Sequence, residues 1–183
     1  MSQDNPDIRA QVDASRGPQK KIELLIPGLR NYRKLDDLRV ADSMLRNQVA
    51  DKLVLAKTNL ENVRKQMASA GDYTNLTNVG SLIFSLQQVE GTVRHAEQGY
   101  SGWVASITID QNRLNQLYDY DNAFVTSAFA LVDATSPPAL TYDATNPASV
   151  MTQVGKVSAA VNDFKSKWNV RMEAVKGILV KPQ

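Results

Sequence analysis

Apolar residues recur along most of this chain at steps of three and four, the spacing of one face of an α-helix. Over residues 31–67 the recurring set is Leu38, Leu45, Val49, Leu53, Ala56, Leu60, Val63 and Met67, with no Gly or Pro between them. That spacing predicts a first helix about 55 Å long, stopped by Gly71 in Ala70-Gly71-Asp72. A second helix is predicted over 75–98, on Leu76, Val79, Ile83, Leu86 and Val93, flanked by Leu82 and Val89. Gly80 and Gly91 weaken it and allow a close helix contact. Gly99 and Gly102, with Tyr100 and Trp103 beside them, break the pattern and read as a packed corner.

A third helix is predicted from Asp110, a good N-cap, on Leu114, Leu117, Phe124, Ala128 and Leu131, ending over 133–136 before Pro137-Pro138. Residues 136–146 read as a loop anchored by Leu140 and Tyr142. Asn146-Pro147 then opens a fourth helix as N-cap and N1 proline. Its stripe is the cleanest in the chain: Val150, Val154, Val157, Val161, Phe164, Trp168, Met172, Val175 and Leu179. No run alternates as a strand does. The expected fold is therefore all-α, an elongated bundle of about four amphipathic helices with long first and last members. Residues 1–20 are sparse in apolar side chains and read as a disordered tail. Residues 21–183 read as a single bundle domain, entered through the apolar patch around Pro27-Gly28.

Composition sharpens this mainly by exclusion. The 183 residues include no Cys and one His, which rules out disulfides, thiolate metal sites and a cysteine nucleophile. The N-terminus has no apolar leader core, and no apolar run approaches the roughly 20 residues of a membrane span. A cytoplasmic protein is expected. The net charge of +2 conceals an asymmetry. Residues 1–69 carry thirteen basic and nine acidic side chains, residues 70–148 two and eight, and residues 149–183 six and two. Either basic helices pack beside acidic ones, or the basic ends form a face for an anionic partner such as a membrane surface. Nucleic-acid binding is not expected. Lys20, Lys21, Arg30, Arg33, Lys34 and Arg39 are interleaved with one aromatic, Tyr32, and followed by Asp36 and Asp37.

Three carboxylates interrupt the apolar stripes: Asp42 between Leu38 and Leu45, Glu90 between Leu86 and Val93, and Asp121 between Leu117 and Phe124. A buried carboxylate is costly unless paired. The candidate partners by position are Arg39, Arg46, Arg94 and His95. The reading is a buried polar network of Asp42, Arg46, Glu90, Arg94, His95 and Asp121 that sets helix register. A carboxylate-held metal is the alternative. The paired Glu-x-x-His of a di-iron bundle is absent, since Thr92 stands three residues before the only His. No nucleophile elbow, Walker lysine loop or dinucleotide fingerprint occurs. No catalytic residue, cofactor or metal ligand is assigned, and the chain is read as a non-enzyme.

Two segments together resemble a known pattern. One is Ile26-Pro27-Gly28-Leu29-Arg30-Asn31-Tyr32-Arg33 followed by Leu38-Arg39-Val40-Ala41-Asp42-Ser43-Met44-Leu45-Arg46. The other is Val93-Arg94-His95-Ala96-Glu97-Gln98-Gly99-Tyr100-Ser101-Gly102-Trp103 followed by Leu117-Tyr118-Asp119-Tyr120-Asp121. They resemble an uncharacterised family of prokaryotic helical proteins with IPGY…Y, RxxDxxLR, IRxAxxGYxG and LYxxD motifs in this order. Members look to be encoded near SPFH-domain (flotillin-like) proteins. The resemblance covers residues 25–132 and departs at Leu29, where the pattern favours Tyr, and at His95-Ala96. It carries no activity. It implies one constellation of Asp42, Arg46, Arg94, Tyr100, Gly102 and Asp121, with Tyr100, Gly102 and Trp103 as a corner or interaction point. The expected role is a helical scaffold or adaptor acting through a protein partner or self-association, with a membrane-associated SPFH assembly as the implied partner. Binding to an anionic membrane surface through the basic ends is the alternative.

Overall fold

A computed structural model of the protein describes Gly17, Ile22 and residues 38–96 and 111–180; the side chains of Leu38, Arg39, Gln111, Leu114 and residues 178–180 lie outside the described set. The expected tail apart from Gly17, the remaining entry segment up to residue 37, and the corner of Tyr100, Gly102 and Trp103 also lie outside it.

Four helices are described along their length, α1 Leu38–Ser69, α2 Leu76–Arg94, α3 Gln111–Thr135 and α4 Ala148–Val180, and no strand occurs among the described residues. The fold is all-α, and the helices pack as a bundle. With 32 and 33 residues, α1 and α4 are the long members, about 50 Å each at 1.5 Å per residue. The α1 stripe from Leu45 to Met67 is buried, as are Val79, Leu86, Val89 and Val93 of α2. Facing them are Phe124, Val125, Ala128 and Leu131 of α3 and the α4 series Val150 to Trp168. Each large apolar side chain so buried contributes about 1.5–3 kcal/mol. Ile22 joins this core at 1% exposure.

The helices form two hairpins, α1 with α2 and α3 with α4, joined chiefly through α1 against α3 and more lightly through α2 against α4. The hairpins are antiparallel: Arg46 near the start of α1 meets the last turn of α2. Between hairpins α1 and α3 run parallel, since Asp42 and Asp121 share Arg171 while Asn59 donates to Thr135 Oγ1 and Ser136 Oγ. Hence α1 and α4 sit diagonally, as do α2 and α3.

The α1–α2 turn is a Schellman motif. The Asp72 N–H donates to the Met67 carbonyl at 3.0 Å and the Gly71 N–H to that of Ala68 at 3.2 Å, with Gly71 at φ 76°. Only glycine adopts that conformation without strain. At the far end α2 stops at Arg94, four residues before its expected end. The His95 N–H makes the last helical bond, to Gly91 O, and Arg46 takes over the carbonyls that follow. Asn75 precedes α2 without a side-chain cap bond. The α3–α4 loop is pinned by buried Leu140 and half-buried Tyr142.

Candidate functional site: a buried ion network

One end of the bundle holds the buried charges. Asp42, Arg46, Asp121 and Arg171 are each 4% exposed or less. Arg171 Nε donates to Asp121 Oδ1 at 2.6 Å and its Nη2 to Asp42 Oδ1 at 2.5 Å. Asp42 Oδ2 accepts from Arg46 Nε at 2.8 Å, one helical turn away. Arg46 Nη1 reaches the carbonyls of Val93 and Arg94 at 3.2 and 3.3 Å. Those carbonyls lie in the last turn of α2, at the negative end of its dipole, where a guanidinium is favoured. One chain of charge-assisted bonds thus ties α3 to α4, α4 to α1, and α1 to the end of α2. Among the described residues two carboxylates and two guanidiniums balance, which is the condition for holding such charges out of water.

The guanidinium of Arg171 also lies over aromatic faces, 5.5 Å from the Phe124 centroid and 5.9 Å from that of Trp168. Phe124 in turn packs against Phe164 and Trp168 at 5.3 and 5.2 Å. The apolar core therefore grades directly into the ionic one, through rings whose faces attract a cation.

Position along the stripes singles out Asp42, Arg46 and Asp121, but Arg171 is the residue that joins them. Reading Trp168, Met172, Val175 as the α4 stripe passes over it. Along the buried face the steps run Phe164, Trp168, Arg171, Val175, with Met172 half-buried beside them. An Arg three residues after Trp168 and four before Val175 was the available signal. Glu90 and Arg94 form a separate, half-buried pair with each other at 2.5 Å, and Arg94 Nη2 also donates to exposed Asp51 at 2.9 Å. Its bonds to Glu90 and then to Asp51 hold the Arg94 guanidinium above its ordinary pKa. His95 is exposed at the end of α2. At about 100° per residue it stands half a turn round from buried Leu86, so it faces away from the network.

Chemically this arrangement is a clasp. The guanidinium of Arg171 occupies the space between Asp42 and Asp121 that a bound cation would need. Among the described residues no group of three or more His, Asp or Glu is placed to hold a metal ion. Two open clefts lie at the other end of the bundle. One, of about 710 Å³, is lined by Asn62, Lys65, Gln66 and Ser69 of α1 and by Tyr142 and Ala144 of the loop. The smaller, of about 240 Å³, lies between Glu61, Arg64 and Lys65 of α1 and Leu76 of α2. Burial first, then the charges of Asp72 and Asp143, raises the Tyr142 hydroxyl above its ordinary pKa. Hydrogen bonds from the Thr145 hydroxyl and N–H hold the Asp143 carboxyl below the usual range.

The described residues define a bundle of four long helices clasped at one end by a buried Asp–Arg network. No family model, curated protein or solved structure matches the chain. No described helix is long and apolar enough to cross a membrane.

Proposed function

We propose that this protein is a non-enzymatic helical scaffold that works in the cytoplasm by binding other proteins. Its partner class is a membrane-associated SPFH assembly. The observation that carries the reading is that α1 exposes apolar side chains on the side away from its core stripe. Its inner face fills the core, and its outer face exposes Val40 at 47%, Met44 at 37%, Val54 at 39% and Leu55 at 44%. These four lie within about 60° of one line along the helix, opposite the core stripe. Apolar side chains aligned on the solvent side of a long helix fit an interaction surface. The absence of Cys fits a reducing compartment. The partner class comes from the motif resemblance.

The test is recovery of an SPFH-domain protein with tagged full-length chain from native membranes, compared with a Val54→Lys/Leu55→Lys variant. The expected result is recovery with the native chain and loss with the variant, whose exposed substitutions leave the melting temperature within a few degrees. Equal recovery with both, or none with either, overturns the reading. Salt-sensitive binding of the purified protein to anionic liposomes, without any protein partner, would support the basic ends as a membrane contact in its place.

A further inference from the structure

Arg46, Arg94 and Arg171 each hold a carboxylate. Arg64 holds none: among the described residues it makes no hydrogen bond or ion pair. Its guanidinium is fixed in place by packing. Nε, Cζ and Nη2 stand 3.8, 3.9 and 4.0 Å from the point where a Cβ of Gly80 would be, so the group lies broadside on α2 over the gap that the glycine leaves. A guanidinium seated on its face keeps its N–H groups, which lie in its plane, available to a ligand.

Arg64 lines the cleft of about 240 Å³ between α1 and α2, together with Glu61, Lys65, Ala68 and Leu76. Lys65, the second cation of that wall, is likewise without a partner among the described residues. The one acid there, Glu61, is turned back along α1 to Lys57, with 3.8 Å between the charged atoms. Ala68 lies one turn beyond Arg64 and Lys65, on the same side of α1, and is too short to fill the space between them. Leu76 is the first residue of α2, so the positive end of that helix's dipole adds to the field of the two side chains.

We infer that this cleft binds a phosphate monoester, gripped by the guanidinium of Arg64 and balanced by the ammonium of Lys65. Charge selects an anion, since both cations face the cleft with no carboxylate of their own. The number of cations selects phosphate over carboxylate. A monoester carries about −1.5 to −2 charges at neutral pH and three acceptor oxygens, enough for both groups at once. A carboxylate is matched by the guanidinium fork alone. The volume limits how much of the ligand enters. The cleft is smaller than the pockets that enclose whole cofactors or drug-sized ligands, so it takes the phosphoryl group and leaves the body of the ester in solvent. The source is then a small soluble ester or a lipid headgroup. Gly80 is the positioning residue, because its missing side chain is what lets the guanidinium lie flat on α2. The inference uses no residue of the exposed apolar face of α1 and stands apart from the scaffold reading.

An NMR titration of the isotope-labelled full chain with inorganic phosphate, against chloride at constant ionic strength, tests it. The expected result is a saturable shift of the Arg64 Nε–H and of the amides around Leu76, with a millimolar dissociation constant. Arg64→Lys, which keeps the charge and loses the fork, weakens binding about fivefold or more. Gly80→Leu keeps both cations, occupies the seat of the guanidinium and weakens binding as well. Lys167→Gln, which removes a cation from α4, leaves binding and the melting curve unchanged. Phosphatidylcholine vesicles with and without phosphatidic acid separate the two sources. Retention on phosphatidic acid that Arg64→Lys abolishes assigns the site to lipid headgroups. Phosphate binding without such retention assigns it to a soluble ester. No saturable response to phosphate, shifts spread over the lysines and arginines of all four helices, binding that Arg64→Lys and Gly80→Leu leave intact, or equal weakening by Lys167→Gln overturns the inference.

Discussion

Arg171 carries more of this structure than any other polar side chain, because both buried aspartates depend on it. Removing one member of a buried ion network strands its partners, which costs about 3–5 kcal/mol. Arg171→Met is therefore expected to lower unfolding free energy by that order in chemical denaturation. Asp121→Asn/Arg171→Met, which neutralises the aspartate left without that cation and keeps the Asp42–Arg46 pair, is expected to recover part of the loss. Strict additivity of the two changes would show that they do not form one network. At the loop, Asp143 is the residue whose titration the structure ties to a contact. Its folded pKa is lowered by Thr145, so the stabilisation is present above the ordinary carboxylate value and disappears as pH falls through the lowered one. Thr145→Ala is expected to move the Asp143 midpoint upward in an NMR titration, and an unmoved midpoint would break the assignment.

Among the elements, glycine gives the clearest contrast. Gly71 sits at φ 76° in the Schellman turn after α1, where a Cβ costs about 1–2 kcal/mol. Gly155 lies inside α4 with open space around its missing Cβ, where Ala gains about 0.5–1 kcal/mol in helix propensity. Gly71→Ala is expected to lower the melting temperature and Gly155→Ala to raise it by several degrees. Equal signs would contradict the backbone geometry. Gly80 is a different case: its missing Cβ lies 3.8 Å from Arg64 Nε, so the close approach expected at a helical glycine is made there by an arginine side chain.

For the whole molecule, the clasp and the turn are at opposite ends, and the two hairpins touch each other less than their own members do. Arg171→Met should therefore loosen one end first. Hydrogen exchange is expected to quicken in 42–50, 89–94 and 117–125 while 60–67 stays protected. Uniform quickening would mean that the bundle opens only as a unit.

Local periodicity is a property of one helix at a time, so the sequence alone determined the four helices, their apolar stripes and the three carboxylates that break them. It also marked the turn at Gly71, because φ > 0 is a demand on a single residue. It did not determine which cation answers which carboxylate. Arg46 and Arg94 were findable because a helix places i and i+4 on one face. Arg171 lies 50 residues from Asp121 and 129 from Asp42, and only the bundle, in which α3 packs against both α1 and α4 and Arg171 reaches across to the diagonal helix, brings the three together. The end of α2 was likewise decided in three dimensions. Helical spacing carried the pattern to residue 98, but the helix stops at Arg94, where Arg46 from the neighbouring helix takes the carbonyls of Val93 and Arg94.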